Sequence, residues 1–209
     1  MLFLFAGEDH QLFTLHTELL PAATKSYLCE RFAAQQFCWL REHDAGTVQL
    51  YRLFLYTSKI HSINEEMDQD TVDDGQAESH EDAEWTKLAH AYLLGRTIRD
   101  EAFANACVTA IIEKVKATER FPTGIASEVY ANTLSRDSLR RLLVDLHVWT
   151  GEGKCVLPPH EDADGPRTFL RDVRLELRKT RRLREEQEAP WEVDRCAYHV
   201  HEETKKCEQ

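Results

Sequence analysis

Hydrophobic and polar positions alternate at the start of the chain. Leu2 to Phe5 and Gln11 to Leu15 are short apolar runs on either side of Gly-Glu-Asp-His. That pattern predicts a β-hairpin turning near residues 7–10. Thr17 can cap a helix, and Glu-Leu-Leu-Pro-Ala-Ala-Thr-Lys follows it. Pro21 disfavours helical geometry just before itself, so a short helix, a break and a second helix from about Ala22 to Phe32 are expected. Gln-Gln-Phe-Cys-Trp-Leu, 35–40, reads as a third strand. From Ala45 the period lengthens. Val48, Tyr51 and Leu55 share one helical face with Leu50 and Phe54 beside it, which predicts a largely buried helix.

Four more helical patterns follow. Trp85, Leu88, Ala89, Tyr92 and Leu93 have helical spacing, and Phe103, Cys107, Ala110 and Ile111 continue it. Pro122 suits the first turn of a helix through Thr-Gly-Ile-Ala-Ser-Glu-Val-Tyr-Ala-Asn. Ser135 is the expected cap of another, with Leu139, Leu142, Leu143 and Leu146 as its stripe. After Gly151 and Gly153, Leu-Pro-Pro-His-Glu-Asp-Ala-Asp-Gly-Pro reads as a linker. One further helix carries Phe169, Leu170, Val173 and Leu177 as a narrow apolar stripe. The pattern as a whole is α+β: a small sheet covered by helices, then extra helices.

Charge changes this picture in one place. The net charge is −11, from 37 acidic and 26 basic residues. Ten of the acids lie between Ser62 and Trp85, where there is no Lys or Arg, and the rest of the chain is nearly neutral. A one-signed segment with little apolar content cannot offset its ordering entropy, so 62–84 is expected to be a disordered insert. It is usually inert, and the D-x-D-x-D-G order of a calcium loop is absent. The basic helix has eight Lys or Arg residues from Arg167 to Arg184. Its run Arg178 to Arg184 is either a solvated face, a nuclear-targeting or nucleic-acid patch, or a surface docking on the acidic insert. The nearby Glu176, Glu185, Glu186 and Glu188 favour the solvated face over nucleic acid.

Catalytic signatures are missing. There is no G-x-S-x-G, phosphate-binding loop, G-x-G-x-x-G or H-E-x-x-H, so the chain is read as a non-enzyme with no catalytic residues. No apolar run is long enough to span a membrane, and the N-terminal run lacks the parts of a signal peptide. Six scattered cysteines suggest reduced thiols in the cytoplasm or nucleus. The C-terminal tail holds Cys196, His199, His201 and Cys207 as C-x2-H-x-H-x5-C. Two thiolates and two imidazoles are a complete set for tetrahedral zinc, although two histidines one residue apart need extended backbone. The competing reading is a frayed polar terminus that happens to hold these residues, and the sequence favours it. No cofactor is expected elsewhere.

Several stretches together resemble the BTB/POZ family, in the variety common among fungal proteins. The family's F-x-V-H-K-x-x-L signature is resembled by Phe13-Thr14-Leu15-His16-Thr17-Glu18-Leu19-Leu20, with threonine where lysine is common. Leu53-Phe54-Leu55-Tyr56-Thr57-Ser58-Lys59-Ile60 takes the place of W-L-Y-T-G-x-I, with serine where glycine is common. Tyr130-Ala131-Asn132-Thr133 matches Y-x-N-T, and Ser138-Leu139-Arg140-Arg141-Leu142-Leu143-Val144-Asp145 takes the place of S-x-L-R-x-L-x-V-D, one residue shorter after the serine. The resemblance covers roughly Leu2 to Trp149. It implies a BTB/POZ-like domain over 1–120, holding the acidic insert at 62–84, and a helical extension over 121–150; composition and pattern add a linker, basic helix and Cys/His tail over 151–209.

It also implies that His16 packs beneath the sheet as a structural residue. Phe13, His16, Leu20, Tyr51, Leu55, Tyr56, Leu139 and Leu143 are the expected core. The implied function is protein–protein interaction, as an adaptor or scaffold, with a cullin of a ubiquitin ligase as one partner and homo-oligomers as another outcome. Two alternatives stay open: a nuclear regulator using the basic helix on nucleic acid, and a metal-binding tail module.

Overall fold

The computed structural model describes residues 1–32, 37–62, 77–122, 124–150, 164–180, 188–201 and 207. The fold is α+β, with three strands and eight α-helices among the described residues. The chain divides into two compact units, Met1–Cys107 and Val108–Gln209. No helix is long and apolar enough to cross a membrane.

In the first unit β1 (Leu2–Ala6) and β2 (Gln11–Leu15) form the expected hairpin, with Leu2 opposite Leu15 and Ala6 opposite Gln11. Gly7 takes φ +66°, and its N–H donates to the His43 carbonyl at 2.8 Å. β3 (Phe37–Leu40) runs parallel to β1, giving the order β2-β1-β3. Side chains alternate between the two faces of a strand. Leu4, Ala6, Phe13, Leu15, Cys38 and Leu40 are buried on the inner face. Phe3, Phe5, Leu12, Phe37 and Trp39 lie on the other.

Between β2 and β3 the expected short helix after Thr17 does not form. A turn closes there from the Leu19 N–H to the His16 carbonyl, and α1 (Ala22–Phe32) starts after Pro21. The proline restricts the residue before it, which favours a turn over a helix. α2 (Ala45–Thr57) is capped by Asp44, whose carboxylate accepts the Thr47 N–H at 2.8 Å and the Thr47 hydroxyl at 2.6 Å. It ends at Ser58, which sits in the left-handed region at φ 55°.

α3 (Ala77–Thr97) begins earlier than the expected end of the acidic insert. Residues 77–84 are helical and correct that part of the disorder expectation. Ala and Glu are good helix formers, and acids are favourable at a helix N-terminus. The rest of the expected insert lies outside the described residues, apart from Ser62, whose hydroxyl donates to Glu84. Where α3 meets α4 (Glu101–Thr118), a Cβ on Gly95 would stand 3.0 Å from the Ala104 nitrogen, so this close approach needs glycine. The expected boundary at 120 lies just beyond the end of α4.

The unit's centre is polar as well as apolar. The buried Tyr51 hydroxyl donates to Asp100 Oδ2 at 2.9 Å. Asp100 Oδ1 accepts the Phe103 N–H at 3.0 Å and so caps α4. The Tyr51 and Phe54 rings pack on Phe103, with centroids 4.9 and 5.1 Å away.

In the second unit α5 (Ala126–Asn132), α6 (Ser138–Thr150) and α7 (Asp164–Thr180) pack together. Pro122 lies ahead of α5 rather than in its first turn. Asp137, not Ser135, caps α6, with its carboxylate accepting the Leu139 N–H at 3.0 Å. Asp137 lies two residues nearer the helix than Ser135, which brings its carboxylate to the Leu139 N–H. Leu139, Leu142, Leu143 and Leu146 are fully buried. Phe169 of α7 is buried between the Tyr130 and His147 rings. The Arg140 guanidinium donates to the Tyr130 and Thr133 carbonyls and lies over the Tyr130 ring. Those carbonyls end α5 and have no helical donor of their own, so Arg140 closes the helix terminus. This gives a structural role to the arginine of the quoted S-x-L-R stretch.

Candidate metal centre

The described stretch 188–201 of the tail is folded, which corrects the expectation of a frayed terminus for that part. Pro190 opens α8 (Pro190–Val193), where its missing N–H costs nothing. A 3-10 turn follows over Arg195–Tyr198. Three apolar side chains, Trp191, Tyr198 and Val200, are buried. The Tyr198 hydroxyl donates to Asp145 Oδ2 at 2.7 Å. The Arg141 guanidinium lies 5.1 Å from the centroid of the Tyr198 ring and donates to the Ala197 carbonyl. Arg195 pairs with Glu113 at 3.2 Å.

These anchors explain how two histidines one residue apart can act together. His199 is extended, with φ −89° and ψ 155°. In extended backbone, alternate side chains share a side. Tyr198 and Val200 turn inward, so His199 and His201 turn the other way, towards Cys196 and Cys207. The donor atoms of these four residues all lie within 4.8 Å of one another. Cys196 Sγ is 3.1 Å from His201 Nε2, and Cys207 Sγ is 3.2 Å from His199 Nδ1 and 3.9 Å from His201 Nε2. Zinc bonds of about 2.3 Å to sulfur and about 2.0 Å to nitrogen imply donor–donor edges of roughly 3.3–3.8 Å. The observed spacings bracket that range, so the cluster can hold a metal ion.

Its surroundings suit a ligand set. His199 Nε2 lies 3.1 Å from the Thr109 hydroxyl of α4. A proton held on Nε2 by that contact leaves the Nδ1 lone pair facing the cluster. Burial, then the neighbouring His201, holds the His199 imidazole below its usual pKa, which favours the neutral form that ligates. Burial and the adjacent Cys196 thiol push the Cys207 thiol up. A cation in the cluster would reverse that push by stabilising the thiolates.

The other expected residues fall elsewhere. Phe13, Leu20, Tyr51, Leu139 and Leu143 are buried, and Leu55 is half-buried. His16 and Tyr56 are exposed, which corrects their place in the expected core. Leu15 ends β2 facing inward, so the next side chain faces solvent. The two exposed rings meet edge to face, and the Tyr56 hydroxyl is 2.7 Å from His16 Nδ1. This pair pins the strand end to the end of α2. On α7 the described basic residues Arg167, Arg171, Arg174, Arg178 and Lys179 are exposed. Arg171 pairs with Asp172 and Lys179 with Glu176, while residues 181–187 lie outside the described part.

Thr109, Asp145 and Tyr198 were not singled out by sequence reasoning. One signal was present: Asp145 falls between Leu142 and Leu146 on the apolar side of α6, where a carboxyl needs a partner. Comparison with family models, curated proteins and solved structures gave no match. Fold and site together define an α+β chain with a Cys2His2 cluster able to hold a metal.

Proposed function

We propose that the chain is a non-enzymatic protein–protein interaction module of the BTB/POZ kind, whose C-terminal tail is fastened to its helical unit by one structural zinc ion. The observation that carries this reading is the convergence of four protein donors in the tail. Two sulfurs and two imidazoles suit zinc among the common metals. Four protein ligands fill a tetrahedral shell and leave no position for a water or substrate, which is the mark of a structural rather than a catalytic site.

The interaction role draws support from the first unit. A small sheet covered by helices is the architecture that the family resemblance implies. The sheet's outer face keeps Phe3 40% and Leu12 52% exposed, beside Phe5 and Trp39 stacked with centroids 5.0 Å apart. An aromatic and aliphatic patch of this kind supplies the buried anchors of protein interfaces. A cullin scaffold is the partner proposed for it, as in the adaptor role of the family.

Native mass spectrometry of the chain purified with zinc tests the metal. One zinc per chain is expected, lost in Cys196→Ser, and an apo mass would overturn it. Binding to a purified cullin, measured for the natural chain and for Leu12→Asp, tests the interaction. Binding that Leu12→Asp abolishes supports the adaptor role. Absent binding, or binding indifferent to the substitution, removes it.

A further inference from the structure

The four ligands differ in their access to solvent. Cys207 is exposed and Cys196 half-buried, while Cys38 and Cys107 in the first unit are wholly buried. A thiol with no accessible surface cannot meet a dissolved oxidant, whereas an exposed one paired with a neighbouring sulfur can. Cys196 and Cys207 have sulfurs no more than 4.8 Å apart. A disulfide needs an S–S bond of about 2.05 Å, so a modest closure joins them. The other contacts of the tail do not use sulfur. The Tyr198–Asp145 and His199–Thr109 contacts involve no sulfur atom.

We infer that this centre is a redox-gated fastening, an inference that rests on the zinc reading above. With zinc bound, the two thiolates close the tail. A peroxide joins them as a Cys196–Cys207 disulfide and discharges the metal. The exposed Cys207 thiolate attacks one peroxide oxygen and breaks the O–O bond, giving a sulfenic acid and hydroxide. The Cys196 thiolate then attacks that sulfenic sulfur, forms the S–S bond and expels a second hydroxide. Two protons from solvent turn the two hydroxides into water. The two sulfurs have supplied two electrons, one peroxide has been reduced, and zinc leaves as Zn²⁺ with its oxidation state unchanged. Two imidazoles remain, which is half of the shell zinc requires. The tail then keeps its Tyr198 anchor and loses its fastening at Cys207, so oxidation loosens one end while leaving the helices in place.

The test uses the full chain carrying Cys29→Ser, which removes the other exposed thiol among the described residues. The zinc-loaded protein is titrated with hydrogen peroxide. Released zinc is read with a chromogenic chelator, and cross-links are mapped by peptide mass. The expected result is one zinc released per Cys196–Cys207 disulfide, with rebinding after a thiol reductant. In Cys207→Ala, no cross-link to Cys196 should form at any peroxide dose. Zinc retained while peroxide is consumed would overturn the inference and leave the zinc reading standing. So would zinc lost with Cys207 oxidised to sulfinic acid and no cross-link. A chain that takes up no zinc before any peroxide is added fails at the earlier step, and both readings fall.

Discussion

Each unit contains a buried tyrosine hydroxyl that donates to a buried aspartate, yet the two pairs do different jobs. In the first unit Tyr51 reaches Asp100 inside a continuous core, with its ring against Phe103, which also packs on Phe54. Asp100 at the same time caps α4. In the second unit Tyr198 reaches Asp145 from a tail whose described regular structure is two short turns. Arg141 covers that ring from the solvent side. One pair is a bolt within a body that is already assembled. The other is the main lateral anchor of a segment too short to hold itself. The difference explains why a ligand cluster is useful where it stands. Three buried side chains and a few polar contacts offset little of the entropy of ordering about a dozen residues, and the metal proposed above would supply the remainder.

The largest effect should come from the core on which the second unit is built. Leu143→Asp places a charge at a position with 0% exposure in α6. It should cost several kcal/mol or cause aggregation. A near-native denaturant midpoint would contradict the packing described. The comparison itself is broken by removing each hydroxyl. Tyr51→Phe leaves Asp100 buried with one fewer donor and should cost about 1–3 kcal/mol of global stability. Tyr198→Phe should change the global transition by less than about 1 kcal/mol while weakening zinc affinity roughly tenfold or more, as loss of a supporting contact does. Urea titration and zinc competition read the two quantities separately. Equal global losses in both variants would erase the distinction.

Acid sensitivity sharpens it further. Burial holds the Asp100 carboxyl above its usual range, against the downward pull of the Phe103 N–H and the Tyr51 hydroxyl. The groups facing it, Tyr51 of α2 and Cys107 of α4, are both pushed up by burial and stay neutral through the acidic range. The native state therefore keeps a proton that the unfolded chain has already released. Its stabilising contribution is present below the unfolded value of 3.8 and is lost as pH rises through the raised folded value. Asp100→Asn, which keeps a capping side chain, should flatten this part of the stability profile. An unchanged profile would place the titration elsewhere. The smallest effect is local. Ser58 sits at φ 55° where glycine bears no strain, so Ser58→Gly should raise stability by about 0.5–1 kcal/mol in a melting experiment. A loss would mean that its side chain matters more than its backbone.

How much of this was legible follows from the range of each signal. The hairpin and α1, α2 and α6 were readable because alternation and helical spacing are local. The same alternation, applied one residue past Leu15, points His16 outward. The expectation of a buried histidine came from family resemblance and overrode that rule. Ser135 was the expected cap of α6 and Asp137 caps it instead, since serine and aspartate can both cap and only the path of the backbone chooses between them. The tail was half legible. Its four ligands are named by type and spacing, but their convergence depends on Tyr198 finding Asp145 53 residues away and on Thr109 meeting His199 90 residues away. No short-range pattern carries those pairings.

A tail fastened by zinc, as proposed, should loosen when the metal is withdrawn. Amide hydrogen exchange of the full chain, with zinc and again with a chelator, tests it most directly. Chelation should remove protection across 190–201 and leave α2 and the hairpin unchanged. Protection of the tail that is the same in both conditions would contradict it.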